Sequence, residues 1–316
     1  MFSYPIAFFV IICASRRTDI PAFHSEWLMN RLRAGYALVR NPIRKDVVYK
    51  VDLSPKNVDL LLLMTKDPRP MVPHMDELLS YDIKCGFQVS ITPYGRDIEP
   101  GVKDKAGIAE AFRVISERIR KENMIWRYDP VILNGRFDIN YHKRKFEVIC
   151  RELSGYTERC IFSFVDIHDK LKHLHDDGII RNVPEDEGRG LGEVLAPIAY
   201  DHNIQLNICC SEYDLSDIGI FSRGCIDKDH MRSIGVPFEE MSTPLREGCR
   251  CVRNIDIGEY DTCDHDCIYC YANRNTTGSR KSRVYDPENE LLYGSVNGSD
   301  RIVELASRKV SKITDF

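Results

Sequence analysis

Short apolar runs alternate with amphipathic stretches along most of the chain, and the two periods decide which elements form. Apolar runs bounded by polar or turn residues read as strands over 8–14, 36–40 with 47–53, 60–65, 87–92, 124–128, 160–165, 204–209 and, more briefly, 254–258. An apolar period near 3.6 residues predicts helices over 24–34, 73–81, 105–121, 141–153 and 191–203. Strands and helices in alternation imply a parallel sheet with crossover helices. The expected fold is therefore α/β, a (β/α) TIM-like barrel, closed or partly open.

The residues that follow the strands are polar in nearly every case. Strand one runs into Ser15, Arg16, Arg17, Thr18 and Asp19, and later strands into Thr65 and Lys66, or Thr92, Pro93 and Tyr94. The pattern continues with Arg127, Tyr128 and Asp129, with Asp166, and with Cys209, Cys210 and Glu212. Barrel enzymes place their active sites at this carboxyl face. Strand ends are also polar simply because they leave the core, so the accumulation carries the argument rather than any one residue. Arg16 and Arg17 suit a carboxylate or phosphate clamp; the structural alternative is an ion pair with Asp129 or Asp166. Arg16, Arg17, Asp19, Arg127 and Asp129 are the candidate catalytic set, with Lys66 ranked below the arginines.

Length and charge narrow the partners. The chain has 316 residues, 44 basic against 48 acidic, and a net charge of −4, which favours neither nucleic acid nor an anionic membrane. The apolar segment 5–14, "PIAFFVIICA", is too short to span a bilayer and no positive charge precedes it. It fits a buried parallel strand, and the expected location is cytoplasmic. In a reducing compartment the 12 cysteines point to metal or redox chemistry rather than disulfides. The charged, Gly-containing segment 176–190 is expected to be an exposed loop or helix connection, and 300–313 a terminal helix. Residues 1–260 are expected to form the barrel, with 261–316 a cysteine loop and extension packed on it.

Cys263, Cys267 and Cys270 have the spacing C-x3-C-x2-C, with Tyr269 just before the last. Three thiolates at this spacing can each ligate a different iron of one [4Fe–4S] cubane and leave the fourth iron open. Zinc sites more often pair two C-x2-C units or mix in histidine. His265, inside the loop, could be a ligand or could simply face solvent or bond the loop backbone. Cys13, Cys85, Cys150 and Cys160 lie in apolar elements and read as buried thiols. Cys209, Cys210, Cys225, Cys249 and Cys251 fall late, near strand ends and loops. Four of them, for example Cys210, Cys225, Cys249 and Cys251, could enclose a second iron–sulfur or zinc site.

The stretch "CDHDCIYCYAN" resembles the cluster loop of the radical S-adenosylmethionine superfamily, in particular its spore photoproduct lyase and DNA-repair-photolyase-like branch. That resemblance implies that Cys263, Cys267 and Cys270 hold the cluster, with Tyr269 beside it. It also implies that S-adenosylmethionine binds the fourth iron and is cleaved to a 5′-deoxyadenosyl radical. A reduced ferredoxin or flavodoxin would be the electron donor. Two departures stand out: the loop follows the last strand rather than the first, and no Gly-Gly-Glu follows the next strand. Since a barrel is cyclic, a loop after its last strand still opens onto the common mouth.

The chain as a whole, through "CASRRTDIPAFHSEWLMNRLRAGYALVRNP", "DLSPKNVD", "ITPYGRDIEP", "WRYDPVIL" and "IDIGEYDTCDHDCIYCYAN", resembles an uncharacterised prokaryotic family, domain of unknown function 1848. That resemblance implies a single-domain architecture with a terminal cysteine motif and supplies no reaction. Three functions stay open: a radical iron–sulfur enzyme acting on a small-molecule or nucleic-acid-derived substrate; a barrel protein with structural zinc or a non-catalytic cluster; and an acid–base lyase or hydrolase with the cluster as Lewis acid.

Overall fold

The computed structural model describes residues 9–211, 213–241, 248–273 and 284–305. In chain order the first half contains β1 (Ile11–Ala14), α1 (Ile20–Phe23), α2 (Ser25–Ala34), β2 (Tyr36–Arg40), β3 (Val47–Asp52), β4 (Leu60–Thr65), α3 (Met75–Ser80), β5 (Cys85–Ser90) and α4 (Lys105–Ile119). The second half adds β6 (Met124–Val131), α5 (Ile139–Leu153), β7 (Arg159–Phe164), α6 (Lys172–Asp176), α7 (Glu185–Asp201), β8 (Gln205–Ile208), β9 (Phe221–Ser222), α8 (Lys228–Ser233), β10 (Ile255–Asp256) and β11 (Arg301–Leu305).

Eight strands form one sheet in the order β10-β1-β4-β5-β6-β7-β8-β9, and every neighbouring pair is parallel. From β4 to β8 sequence neighbours are sheet neighbours, so right-handed crossovers all place their helices on one face. Alternate side chains of the strands, among them Ile12, Leu61, Phe87, Trp126 and Phe162, face those helices in the main core. The opposite set, Ile11, Leu60, Leu62, Ile125 and Ile161, meets Ile226, Met231, Val236 and Val252 from the segment carrying α8. Helix α8 itself lies at the amino ends of the strands, where His230 Nε2 is 2.8 Å from the Glu122 carbonyl.

The expected barrel does not close: β9 and β10 are the edges of the sheet. Each has only two residues, and among the described residues between them the chain forms α8 and an antiparallel bridge, Glu240 to Val252, with no further strand of the sheet. β10 nonetheless pairs with β1, with Ile12 opposite Ile255 and Cys13 opposite Asp256. The last strand therefore lies beside the first without a closed cylinder.

The hairpin β2–β3 does not belong to the central sheet. It forms a second sheet, β11-β3-β2, in which β11 runs parallel to β3 from Arg301↔Val47 to Leu305↔Val51. Residues 301–305 are thus a strand rather than the start of a helix, because the free edge of β3 offers backbone partners to a β-branched Ile-Val pair. The remainder of the expected terminal helix, Glu212, and the basic residues from Arg274 to Arg283 lie outside the described residues. Part of 176–190 is helical: α7 starts at Glu185 after Pro184, and Glu185, Asp186 and Glu187 in its first turn complement the helix dipole. The helix expected over 24–34 forms as α2 from Ser25 with His24 at its start, and a further short helix, α1, capped by Asp19, precedes it.

Candidate metal centre

The loop 261–273 sits over the carboxyl ends of β1, β4 and β5, and its own sequence folds it back. Asp261 and Asp266 adopt left-handed φ values of 64° and 52°, which Asp tolerates because its short polar side chain can bond locally. Asn273 Nδ2 donates to the Cys263 carbonyl at 2.7 Å and the Asp261 amide donates to the Ala272 carbonyl at 3.1 Å, closing the base of the loop. The first chain segment then seats it. His265 Nε2 lies 2.8 Å from Asp19 Oδ2, buried with its ring tilted against that of Phe23, so it does not face solvent. The Ile268 amide donates to the Ile98 carbonyl at 3.0 Å, and the Gly101 amide to the His265 carbonyl at 2.8 Å. A side chain at residue 101 would meet His265 Cα at 2.6 Å, so this approach requires glycine.

Beneath the loop lies a buried charge network. Glu99, 1% exposed, accepts from Lys66 Nζ at 2.8 Å through Oε1 and from Lys105 Nζ and Thr92 Oγ1 at 2.7 Å through Oε2. The Tyr269 hydroxyl also donates to Glu99 Oε1. Burial alone would raise the Glu99 carboxyl, but the Lys66 and Lys105 ammoniums overcome it and hold the group at about 2. The Lys66 ammonium stands 5.5 Å from the centre of the Tyr269 ring. Two ammoniums against one carboxylate leave net positive charge beside Cys267. Burial pushes the Cys267 thiol up to about 12 against the pull of Lys66.

Asp256, on β10, organises the other side of the mouth. Its carboxylate accepts from Ser15 Oγ at 2.8 Å, the Arg16 amide at 2.8 Å, Arg17 Nε at 3.1 Å and the Gly258 amide at 2.9 Å. Arg16 and Arg17 therefore pair with Asp256 rather than with Asp129 or Asp166. Arg127 on β6 bonds Asp129 Oδ2 at 2.6 Å, and Ser163 donates to the other Asp129 oxygen. Asp19 caps α1 through the Ala22 amide at 3.0 Å and also accepts from the Lys66 amide at 2.7 Å. Each of the five candidate catalytic residues is thus tied to protein groups, while Arg16 Nη1 and Arg127 Nε are buried without a partner.

The 12 cysteines are all unbridged, and eight form two groups. Cys263, Cys267 and Cys270 are close enough that a charge on any of them bears on the others. The second group is Cys209, Cys210, Cys225, Cys249 and Cys251: Cys225 and Cys251 sulfurs are 3.3 Å apart, and Cys209 and Cys210 sulfurs 3.7 Å apart. Cys225 also contacts Cys209, and Cys251 contacts Cys249. Among the described residues no three His, Cys, Asp or Glu side chains form a site ready for a single ion. A cubane makes a different demand, because its thiolates bind separate irons rather than one point. The three-thiol loop, offset by Lys66 and Lys105, fits that demand. Lys170 Nζ adds a 2.8 Å bond to the Cys270 carbonyl.

A cavity of about 310 Å³ lies elsewhere, between the central sheet and the second sheet, and shares Arg17 and Asp256 with the mouth. Its charged groups are already paired, Arg40 with Asp300 and Arg253 with Glu239. No helix among the described residues is long and apolar enough to cross a membrane.

No curated protein matches this chain. Among solved structures, two of the pneumococcal exo-β-D-N-acetylglucosaminidase StrH are similar at 10% identity, with TM-scores of 0.31 and 0.30, over 75% and 74% of this chain. A pyruvate carboxylase variant of Rhizobium etli is similar at 10% identity and TM-score 0.32, over 73% of this chain and 25% of that one. The chain spans 65% of the length of the two StrH structures. Residues 11–272, which hold every strand of the central sheet and the three-cysteine loop, match the family described as a domain of unknown function, DUF1848, and the chain belongs to that family.

Proposed function

We propose that the chain is an iron–sulfur enzyme of the radical S-adenosylmethionine type, with Cys263, Cys267 and Cys270 as the ligands of one [4Fe–4S] cluster. The observation that carries this reading is the seating of a C-x3-C-x2-C loop over the carboxyl ends of a parallel sheet, by contacts from Asp19, Ile98, Glu99 and Gly101. In open α/β sheets that crevice is where ligands bind. When bound, a cluster with one open iron supplies the electron that cleaves S-adenosylmethionine to a 5′-deoxyadenosyl radical, with a reduced ferredoxin or flavodoxin as its source.

The chain's own residues do the rest. His265 on Asp19 and Tyr269 on Glu99 fix the loop at its two ends, so that three thiols are presented together. Lys66 and Lys105 favour thiolate over thiol at Cys267 by opposing the cost of burying negative charge. Arg16, Arg17, Asp19, Arg127 and Asp129 frame the mouth as ion-paired walls, and a small-molecule or nucleic-acid-derived substrate enters between them. The net charge of −4 lends no support to an intact nucleic acid as partner.

Anaerobic purification with iron and sulfide analysis tests the first part. About four irons with matching sulfide are expected on the wild-type loop, and Cys267→Ala should lose them. Zinc on this loop without sulfide would sink the proposal. The second part is read from S-adenosylmethionine itself: a reduced, reconstituted protein should release 5′-deoxyadenosine. No product, together with a cluster spectrum that ignores the cofactor, overturns the radical assignment while leaving the cluster in place.

A further inference from the structure

The second group of thiols is positioned by three separate devices of the fold. Alternation along β8 sends Leu206 and Ile208 to the helix-covered core and Cys209 to the opposite face. Cys225 and Cys251 lie on the two limbs of the segment between β9 and β10, where the Val252 amide donates to the Ile226 carbonyl at 2.9 Å. Gly224 lets those limbs approach, since a side chain there would meet the Arg250 carbonyl carbon at 2.6 Å and the Cys251 amide at 2.7 Å. Cys249 follows the alternation of Cys251 as the other member of a C-x-C pair.

An isolated buried thiol behaves as a small hydrophobe, and Cys85, Cys150 and Cys160 fit that description. The second group differs in two respects. Its sulfurs face one another, at 3.3 Å for Cys225 and Cys251. They also lie within electrostatic reach of guanidinium groups, Cys225 and Cys251 of Arg16, and Cys225 and Cys209 of Arg127. Arg16 and Arg17 share the single carboxylate Asp256, which leaves positive charge in excess, and Arg16 Nη1 and Arg127 Nε have no partner. Buried N–H donors on a charged group are costly unless something anionic meets them. Neutral thiols do not supply that charge; thiolates on a metal do.

We propose that Cys209, Cys225, Cys249 and Cys251 bind one zinc ion as a tetrahedral tetrathiolate, with Arg16 and Arg127 donating to its sulfurs. A tetrahedron with zinc–sulfur bonds of about 2.3 Å has edges of about 3.8 Å. Within the set the Cys225 and Cys251 sulfurs stand 3.3 Å apart, near that edge, and Cys225 also contacts Cys209 while Cys251 contacts Cys249, which suits a compact single-ion site; the thiolates of a cubane sit on separate irons. The sulfurs stand as contacting pairs rather than around one point. Binding converts four S–H groups to four S–Zn bonds and releases four protons to solvent, which removes those pairwise contacts and frees each sulfur to turn to the metal. Cys210 is left outside the set: it turns the chain at a left-handed φ of 50°. The site is independent of the reading of the Cys263 loop and ties β8 to the segment that leads into β10.

Metal analysis of the same preparations tests it. About one zinc per chain is expected in the wild type, in Cys210→Ser and in Cys267→Ala, falling to near none in Cys225→Ser and Cys251→Ser. Cobalt(II) offered to the wild-type chain should give the intense thiolate-to-metal charge-transfer band of a tetrahedral site and lose it on adding zinc. That measurement stands even if a variant fails to fold. The proposal is overturned by absence of the band and of zinc, by zinc that survives both Cys225→Ser and Cys251→Ser, or by about eight irons and no zinc, which would make the site a second cluster.

Discussion

Glu99 lies under two lysines and a tyrosine, its carboxyl held at about 2 by Lys66 and Lys105 against burial. The unfolded value is about 4.3, so the folded group binds its proton less readily. The stabilisation is therefore complete above about pH 4.3 and is lost as pH falls through about 2. Acid unfolding of the wild type followed by circular dichroism should steepen across that window, and Glu99→Gln should remove the added steepness. At neutral pH the same substitution leaves two half-buried ammoniums without their anion and should cost about 2 kcal/mol in denaturant unfolding. At residue 101 the constraint is steric. Gly101→Ala should displace the loop through His265 and lower iron retention in metal analysis, with little change in helix content. The grouping of Cys263, Cys267 and Cys270 in one loop was legible because close spacing along the chain is a local property. Glu99 was not, because it sits in "GRDIEP", which has loop composition, and its two lysines come from separate segments that only the fold unites.

At the scale of elements, the alternation of strands and helices was legible and the membership of strands was not. β1 and β4 through β8 follow the expected order, since a continuous apolar run flanked by helices has few other solutions. The hairpin β2–β3 carries similar apolar runs, and nothing in a period of two says which sheet a strand joins. β10 is the instructive case. It has only two residues, yet Asp256 within it accepts from Ser15, Arg16 and Arg17, so side-chain bonds hold an edge that the ladder alone would hold weakly. Asp256→Asn should lower the melting temperature and raise amide exchange over 254–258 well above exchange in β4 and β5. Equal protection in wild type and variant would show that the carboxylate is dispensable to that edge.

At the scale of the whole molecule, two sheets share one chain through residues 284–305. Arg40 holds this segment: it bonds both oxygens of Asp300, at 2.7 and 2.9 Å, and the Ser295 carbonyl at 3.0 Å. Arg40→Ala should cost about 2 kcal/mol and open 284–300 to limited proteolysis while iron and zinc contents stay unchanged. Coupled loss of metal would mean that the second sheet supports the thiol loop directly. The open sheet also alters why the loop reaches the mouth. Cyclic closure is not required, because the pairing of β10 with β1 is enough to bring it there.

That pairing joins Ser15 to Asp256 across 241 positions, and it sets an order of events during synthesis. A chain made from its amino end presents the receiving groups first, Asp19, Lys66 and Glu99, and the thiols of the loop last. The seat can fold before there is anything to occupy it, whereas Cys263, Cys267 and Cys270 are placed only when β10 docks. Metal loading as proposed for that loop would therefore report on chains already built through residue 270, and a product cut short before the loop would carry the seat without the three thiols.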